Sequence, residues 1–398
     1  MKIRKLHISS DNQWLRELEL IGADPAIWDR LSGKCGVSIF STCRLPSTAA
    51  NILKQCMLSG GADAIVSRET VSCRTKETRA LIVGTSKQIK RGCESLTGQP
   101  FGLPELAIEL RRALISSPGL PEKIPVRGKI LDFSRRPLIM GILNVTSDSF
   151  SDGGNYLDVE AAVEHARLMI SQGADIIDIG AESTRPGSLP VPSSIQLERL
   201  LPVFKKLSAD CKAVISVDTA SAEVAAAALS AGAEMVNDVT AMSDPEMSGV
   251  VAKAGIPIVM MHMQGTPNIM QENPGYSNVV EEVYEFFEKR IDSASKSGIS
   301  RELIIVDPGI GFGKRLEDNI ELISRLAEFK WLGCRVLLGH SRKSFLGTLT
   351  GIEDPSEREA GTHAVTALSS NCADIVRVHD VKGTMQVLQV SREFGQRI

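Results

Sequence analysis

From residue 136 onward the chain repeats one pattern eight times: a short, almost continuously apolar run rich in β-branched residues, then an amphipathic stretch. The runs span 136–145, 174–180, 213–219, 234–240, 257–263, 303–309, 334–340 and 373–379. Runs this short and this apolar suit strands covered on both faces, as in a parallel sheet. The intervening stretches read as helices. One places Val159, Val163, Ala166 and Ile170 at helical spacing, 221–233 is alanine-rich and ends at a glycine, and 381–394 closes the series. Eight strands, each followed by a helix, within about 260 residues predict a (β/α)8 barrel over 136–398. An open doubly wound sheet usually has fewer strands, and no GxGxxG follows the first one.

The first 120 residues differ. Residues 47–61 predict a helix capped by Ser47 and stopped by Gly60–Gly61, 104–117 predict another, and ADAIVSR and RALIVGT read as strands. This predicts a small α/β domain over 1–120, with a proline- and glycine-rich linker over 121–135 ahead of the barrel. No GxxxxGK[ST] phosphate loop is present. Forty-five basic against 48 acidic residues argue against a nucleic-acid binder, and no run reaches the roughly 18–20 apolar residues of a membrane span. MKIRKLHISSDNQW lacks the apolar core of a secretory signal, so a cytoplasmic setting is expected. The eight cysteines form no CxxC pair and are expected to be free thiols.

Barrel enzymes place their sites at the C-terminal strand ends, and here every such end is polar. In order they carry Asn144, the AESTRPG segment, Asp218–Thr219, Asn237–Asp238, His262, Asp307, His340 with Ser341–Arg342–Lys343, and Arg377 with His379 and Asp380. Arg377 and His379, two apart on a strand, point to one side. Together with Arg185, Arg342 and Lys343 they suggest an anion, phosphate or diphosphate being the usual one. Asp218, Asn237 and Asp307 match the donor edge of an amino-substituted nitrogen heterocycle, or else cap loop backbones. Asp178 lies inside the second run, where a structural contact and a binding role are equally compatible with its place. Met260 and Met261 suit either core or ligand contact, and His262 suits a ligand, a base or a loop anchor. Asn144 with Asp148 and Asp152 offers oxygens for Mg²⁺, or simply forms a turn-rich loop.

The series ILNVTSDSFSDGG, IIDIGAESTRPG, VNDVT, MMHMQGTPNIMQ, DPGIGFGK, GHSRKSFLG and RVHDV resembles the motif series of the dihydropteroate synthase family, in order, over roughly 130–398. Two positions depart from it: Ser147 stands where proline is usual, and Ala181 where a second glycine is usual, adding a methyl near the site. The resemblance implies condensation of a 6-hydroxymethyl-7,8-dihydropterin diphosphate with p-aminobenzoate, a folate-biosynthesis step that sulfonamides block by mimicry. It implies pterin contacts at Asp218, Asn237, Asp307 and Lys343, and diphosphate contacts at Asn144, Arg377 and His379, with Mg²⁺ near Asn144. Thr184, Arg185 and Ser341, with Phe150 and Phe312, are placed near the diphosphate and p-aminobenzoate end, and Met261 lines the site. Lys343, Arg377, His379 and Asp218 are the expected catalytic set. A homodimer is expected too.

Three rival readings are distinguishable. A pterin-dependent methyltransferase would share the barrel and the carboxylate–amide grip but has no diphosphate to hold. A Schiff-base aldolase would need Lys343 inside the barrel rather than on a cation-rich loop. A catalytically dead scaffold has no need of eight polar strand ends.

Overall fold

The structure is a computed structural model that describes residues 11–25, 28, 36–72, 74–114, 119–145, 154–182, 191–265, 270 and 274–395. The chain forms two compact units, Met1–Ser117 with Gln396–Ile398, and Pro118–Gly395.

In the first unit, three antiparallel strands pair with Ala80–Gly84 in the centre, flanked by Ser38–Ser41 and Asp63–Val66. Helices Ser47–Ser59, Ser86–Leu96 and Leu103–Ala113 supply Leu53, Met57, Ile89, Leu96 and Leu103 to a core shared with Ile82. Thr85 and Gln88 form a reciprocal capping box at the start of the second of these helices. Ser47 is not a cap as expected. It is the first helical residue, preceded by Pro46, and its hydroxyl donates to the carbonyl of Thr75 at 2.5 Å.

In the second unit the eight predicted runs form a closed parallel barrel. Its strands are β1 (Leu138–Asn144), β2 (Ile176–Gly180), β3 (Val214–Asp218), β4 (Met235–Asp238), β5 (Ile258–Met261), β6 (Ile304–Asp307), β7 (Arg335–Leu338) and β8 (Ile375–Val378), with β8 pairing back onto β1. The surrounding helices are α1 (Gly154–Ser171), α2 (Ser193–Leu207), α3 (Ala222–Ser230), α4 (Met247–Ala254), α5 (Val279–Lys296), α6 (Leu316–Ser324), α7 (Ser344–Thr350), α8 (Glu359–Ser369) and α9 (Val381–Gly395). The regular alternation is broken once, where two helices, α7 and α8, follow β7. Among the described residues no helix is long and apolar enough to cross a membrane.

One apolar residue from each strand fills the N-terminal end of the barrel: Met140, Ile176, Val214, Met235, Val259, Ile305, Leu337 and Ile375. Each such side chain contributes roughly 1.5–3 kcal/mol on burial. Residues 121–135 are not a linker. Lys123–Val126 and Lys129–Asp132 form a hairpin whose Ile124, Val126 and Leu131 join this layer and close the bottom of the barrel. The hairpin is held by charge as well. Lys129 Nζ donates to Glu234 at 2.6 Å and to the Ala213 carbonyl at 2.7 Å, while Arg127 Nη1 donates to the Leu229 and Ala233 carbonyls. Acidic residues ahead of β2 and β8 seal this end further: Asp175 pairs with Arg136 and Asp374 with Arg335. Polar groups therefore occur at both ends of the barrel. Those at the bottom are consumed by ion pairs and backbone, which leaves the opposite face for chemistry.

Candidate active site

A cavity of about 840 Å³ opens at the C-terminal face of the barrel, within the range of small-molecule sites. Asn144, Asp218, Asn237, Met261, Asp307, Phe312, Ser341, Lys343, Arg377 and His379 all line it. The fold brings them together because they close or follow seven of the eight strands, whose ends form one ring. Thr184, Arg185, Phe150, Asp148, Asp152 and Ser147 lie outside the described residues.

At the centre of the floor is an ion-pair network. Arg377 donates from Nε to Asp178 Oδ2 and from Nη2 to Asp218 Oδ2, both at 2.7 Å. Asp178 Oδ2 also accepts from Asn237 Nδ2 at 2.9 Å. Asp178 is fully buried and does not line the cavity, so it has the structural role that its position inside β2 allowed. It orients two residues that do line the cavity. Two carboxylates thus share one guanidinium. Burial pushes the Asp218 carboxyl up to about 7, Arg377 pulling the other way and Asp178 reinforcing the rise. The expected cluster of cations free to meet an anion is therefore thinner than the strand ends suggested: Arg377 is shared between Asp178 and Asp218, and Arg342 pairs with Glu359.

Asn237 and Asp238 are neighbours with opposite duties, since consecutive strand residues face opposite ways. Asp238 accepts from Thr240 and Met242 backbone amides and holds Ala241 and Met242 in left-handed conformations (φ 51° and 60°). Asn237 is left to the cavity.

Asp307 ends β6, its Oδ1 accepting from the Gly309 amide at 2.8 Å, and burial raises its pKa. The loop after it turns through Gly309, Gly311 and Gly313 at φ 69°, 79° and 61°. A Cβ at Gly309 would lie 1.9 Å from the His262 carbonyl oxygen, and one at Gly313 2.4 Å from that of Gln264, so no side chain fits either place. The loop presents Phe312 to the cavity, where it packs with Met261 and Met270. Lys343 Nζ sits 3.9 Å from the centre of the Phe312 ring. Of the two methionines at the end of β5, Met261 thus faces the cavity and Met260 the core.

Beyond β7, Ser341 Oγ and His379 Nδ1 are 2.9 Å apart, tying the ends of β7 and β8 together. Arg342 has φ 57°, and its conformation is secured from α8. Its amide donates to Thr362 Oγ1 at 3.1 Å, its carbonyl accepts from Arg358, and its guanidinium pairs with Glu359. His340 is buried against Thr362 and Thr366, away from the cavity, and burial pulls it down to about 4. Glu359, His363 and Asp380 bring ligand-capable atoms within 4.8 Å of one another, but Glu359 pairs with Arg342 and His363 with Asp380.

Sequence reasoning missed three residues. Glu182 lines the cavity, accepts from the Val191 amide and Gln196 Nε2, and has its pKa raised by burial. Arg358 lines the outer wall. Lys314 closes the 308–314 loop with its side chain buried. Glu182 was findable as a carboxylate two residues past the end of β2, whereas the other two come from helix and loop positions with no strand register. Ala181 also departs from expectation. It is buried in the core between barrel and helices and does not line the cavity, so its methyl is not at the site.

Residues 140–379 match the family model described as pterin binding enzyme. The dihydropteroate synthase of Escherichia coli strain K12 is 44% identical over 269 residues, covering 67% of this chain and 95% of that protein. A probable bifunctional folylpolyglutamate synthase/dihydropteroate synthase of Halobacterium salinarum is 42% identical over 369 residues, or 92% of this chain and 44% of that protein. That match reaches into the first unit, and this chain spans less than half the length of the relative. Among solved structures, the dihydropteroate synthase of Xanthomonas albilineans with 4-aminobenzoic acid has a TM-score of 0.65 at 43% identity, covering 71% of this chain and all of that one. The Yersinia pestis dihydropteroate synthase in a sulfonamide complex has the same TM-score at 39% identity, covering 69% of this chain and all of that one.

Proposed function

The chain belongs to the pterin-binding enzyme family, among the dihydropteroate synthases, and from that premise we propose that it condenses a 6-hydroxymethyl-7,8-dihydropterin diphosphate with p-aminobenzoate. The supporting observation is the distribution of groups around one cavity. Asp218, Asn237 and Asp307 line it from β3, β4 and β6, where they suit the edge of a planar amino-heterocycle, while Lys343, Arg377 and His379 line the β7–β8 side. Two carboxylates and an amide match the N–H donors and ring acceptors of a pterin. Arg377 and His379 suit the diphosphate, Lys343 beside Asp307 suits a contact to the pterin, and the Phe312 wall suits an aromatic amine.

In this scheme the C–O bond at the pterin methylene breaks and its electron pair leaves with diphosphate. The amine lone pair of p-aminobenzoate forms the new C–N bond, and the resulting ammonium loses a proton to solvent. The arylamine is neutral at pH 7, so no strong general base is required. Arg377 bridges the two halves: released in part from Asp218 when the pterin occupies that carboxylate, it has donors to offer the leaving group. Asn144 fits Mg²⁺ by chemistry, being a neutral oxygen donor at the cavity for a cation that keeps most of its waters. When bound there, the metal offsets charge on the leaving diphosphate. Catalysis is assigned to the unit Pro118–Gly395, and no activity is assigned to the first unit. A cytoplasmic setting fits the described cysteines, which are all free. A homodimer completes the proposal.

The test is turnover with dihydropterin diphosphate and p-aminobenzoate, with a sulfonamide added. Competition against p-aminobenzoate with stoichiometric diphosphate release is expected. No turnover, or turnover without release of diphosphate, would refute the reading. A pterin-dependent methyltransferase or a Lys343 aldolase predicts neither competition nor diphosphate.

A further inference from the structure

We infer that Lys314 is a positioning residue for the pterin grip: a buried ammonium that ties the β6 loop to the end of β5 and backs Asp307 with a positive charge that no ligand displaces. The inference rests on the function proposed above. Lys314 is 3% exposed and does not line the cavity. Its Nζ lies 3.0 Å from His262 Nδ1 and donates to the His262 carbonyl at 3.3 Å and the Phe312 carbonyl at 3.1 Å. A lysine ammonium has three hydrogens and no acceptor, so while Lys314 is charged its donors are satisfied and the His262 ring accepts at Nδ1, as the neutral tautomer with its proton on Nε2. The ring is packed edge-on against Phe286 at 4.9 Å, and burial, with Lys314 adding to it, drives its pKa down to about 3.

The loop held this way is the one that shapes the site. Its Gly313 carbonyl accepts from Tyr276 at 2.8 Å, and its Gly311 amide donates to Asn319 at 2.7 Å. Every one of these anchors comes from outside the cavity, while Gly311 and Phe312 face into it. Lys314 is the charged member of the set.

A buried ammonium is a poor way to hold a loop if loop-holding is all that is needed. Burial pulls Lys314 down to about 7, Asp307 and Asp318 pulling it back up and Lys343 opposing them. A lysine with a depressed folded pKa opposes folding below that value and ceases to do so as pH rises toward the unfolded value. Below about 7 the charge is carried at a cost in stability, as expected of a group kept for a site. The link to Asp307 is through His262, whose ring and carbonyl hold Lys314 and whose amide donates to the Asp307 carbonyl at 3.0 Å; the Asp307 carboxyl is raised by burial and lowered by the Gly309 amide, Lys343, Lys314 and Arg377. Of those three cations, Lys343 and Arg377 line the cavity and meet incoming ligand. Lys314 is sealed behind it, and its field is the same before and after the pterin binds.

The experiment measures the affinity of a 6-hydroxymethylpterin for the full chain between pH 5.5 and 9, in wild type, Lys314→Gln and Lys314→Met. Glutamine keeps donors for the two carbonyls and removes the charge. Lys314→Gln should bind roughly tenfold more weakly at pH 6, the loss of one charge interaction across the site, and converge on wild type near pH 9, where the wild-type lysine has itself lost its proton. Lys314→Met should show the same acid-side loss plus a pH-independent one from the loosened loop. Identical pH profiles for wild type and Lys314→Gln would overturn the charge role. A loss that is equal at every pH, reproduced by both variants, would reduce Lys314 to a structural residue and overturn the inference too. If wild type binds no pterin at all, it is the proposed function that fails, and this inference with it.

Discussion

Replacing Asp178 by asparagine tests the electrostatics of the site without touching a residue that lines it. The side chain keeps its shape, and one negative charge leaves the Asp178–Arg377–Asp218 cluster. The effect on Asp218 has a definite sign. In the native cluster two carboxylates share one guanidinium, and Asp178 adds to the burial that pushes Asp218 up to about 7. With Asp178 neutral, Arg377 serves Asp218 alone. For unit charges roughly 5–8 Å apart at an effective dielectric near 20, the lost repulsion is about 2–3 kcal/mol, so the Asp218 carboxyl should titrate about 1.5–2 pH units lower. The consequence for binding follows from linkage. A carboxylate that accepts pterin N–H groups must be ionised, so wild-type affinity should rise with pH up to about 7, and the variant should reach its plateau earlier. The consequence for stability is separate. Two hydrogen bonds to Asp178 Oδ2 weaken, at roughly 1.5–3 kcal/mol for bonds to a charged group, while the desolvation of a fully buried carboxylate disappears. The net loss should be about 1–3 kcal/mol, or roughly 2–12 °C in Tm for a unit of this size. Pterin titrations across pH, with Tm in parallel, give both numbers. An acid limb that stays near pH 7, or moves up, would refute the shared-guanidinium argument even if Tm falls as expected.

Two further substitutions probe other parts of the ring. Lys343→Ala removes the ammonium over the Phe312 ring and a charge beside Asp307, so kcat/KM for the pterin substrate should fall by roughly 10–200-fold, the worth of one charge-assisted hydrogen bond; unchanged turnover would remove Lys343 from the pterin contacts. Gly309→Ala places a methyl where the His262 carbonyl oxygen already sits, at a φ of 69°. The loop must move, and Tm should drop by several degrees with weakened pterin binding, since the left-handed strain alone is of order 1–3 kcal/mol; a variant with native Tm and affinity would mean the loop shape is not required.

The eight runs of buried β-branched residues and the helices between them determined the barrel, because strands covered on both faces leave a continuous apolar record in the chain. The same record located the site, since a polar residue that closes an otherwise apolar strand has no reason to be there unless the strand end is solvated or functional. This is why Asp218, Asn237, Asp307 and Arg377 were readable one strand at a time. What the sequence could not contain was who pairs with whom. Asp178 and Arg377 are 199 residues apart and meet only because β8 closes onto β1 beside β2. Until the ring closes, Arg377 reads as a free cation and Asp178 as a spare carboxylate. The hairpin at 123–132 was hidden for a different reason: prolines and glycines are ordinary linker residues, and its Ile124, Val126 and Leu131 gain a purpose only against the barrel's open end. Lys314 was unreadable because a lysine in a loop is normally solvated, and only tertiary packing buries it. Local periodicity is set by neighbours in the chain and survives in the sequence. Charge partnership and burial are set by neighbours in space, which the closed barrel alone supplies.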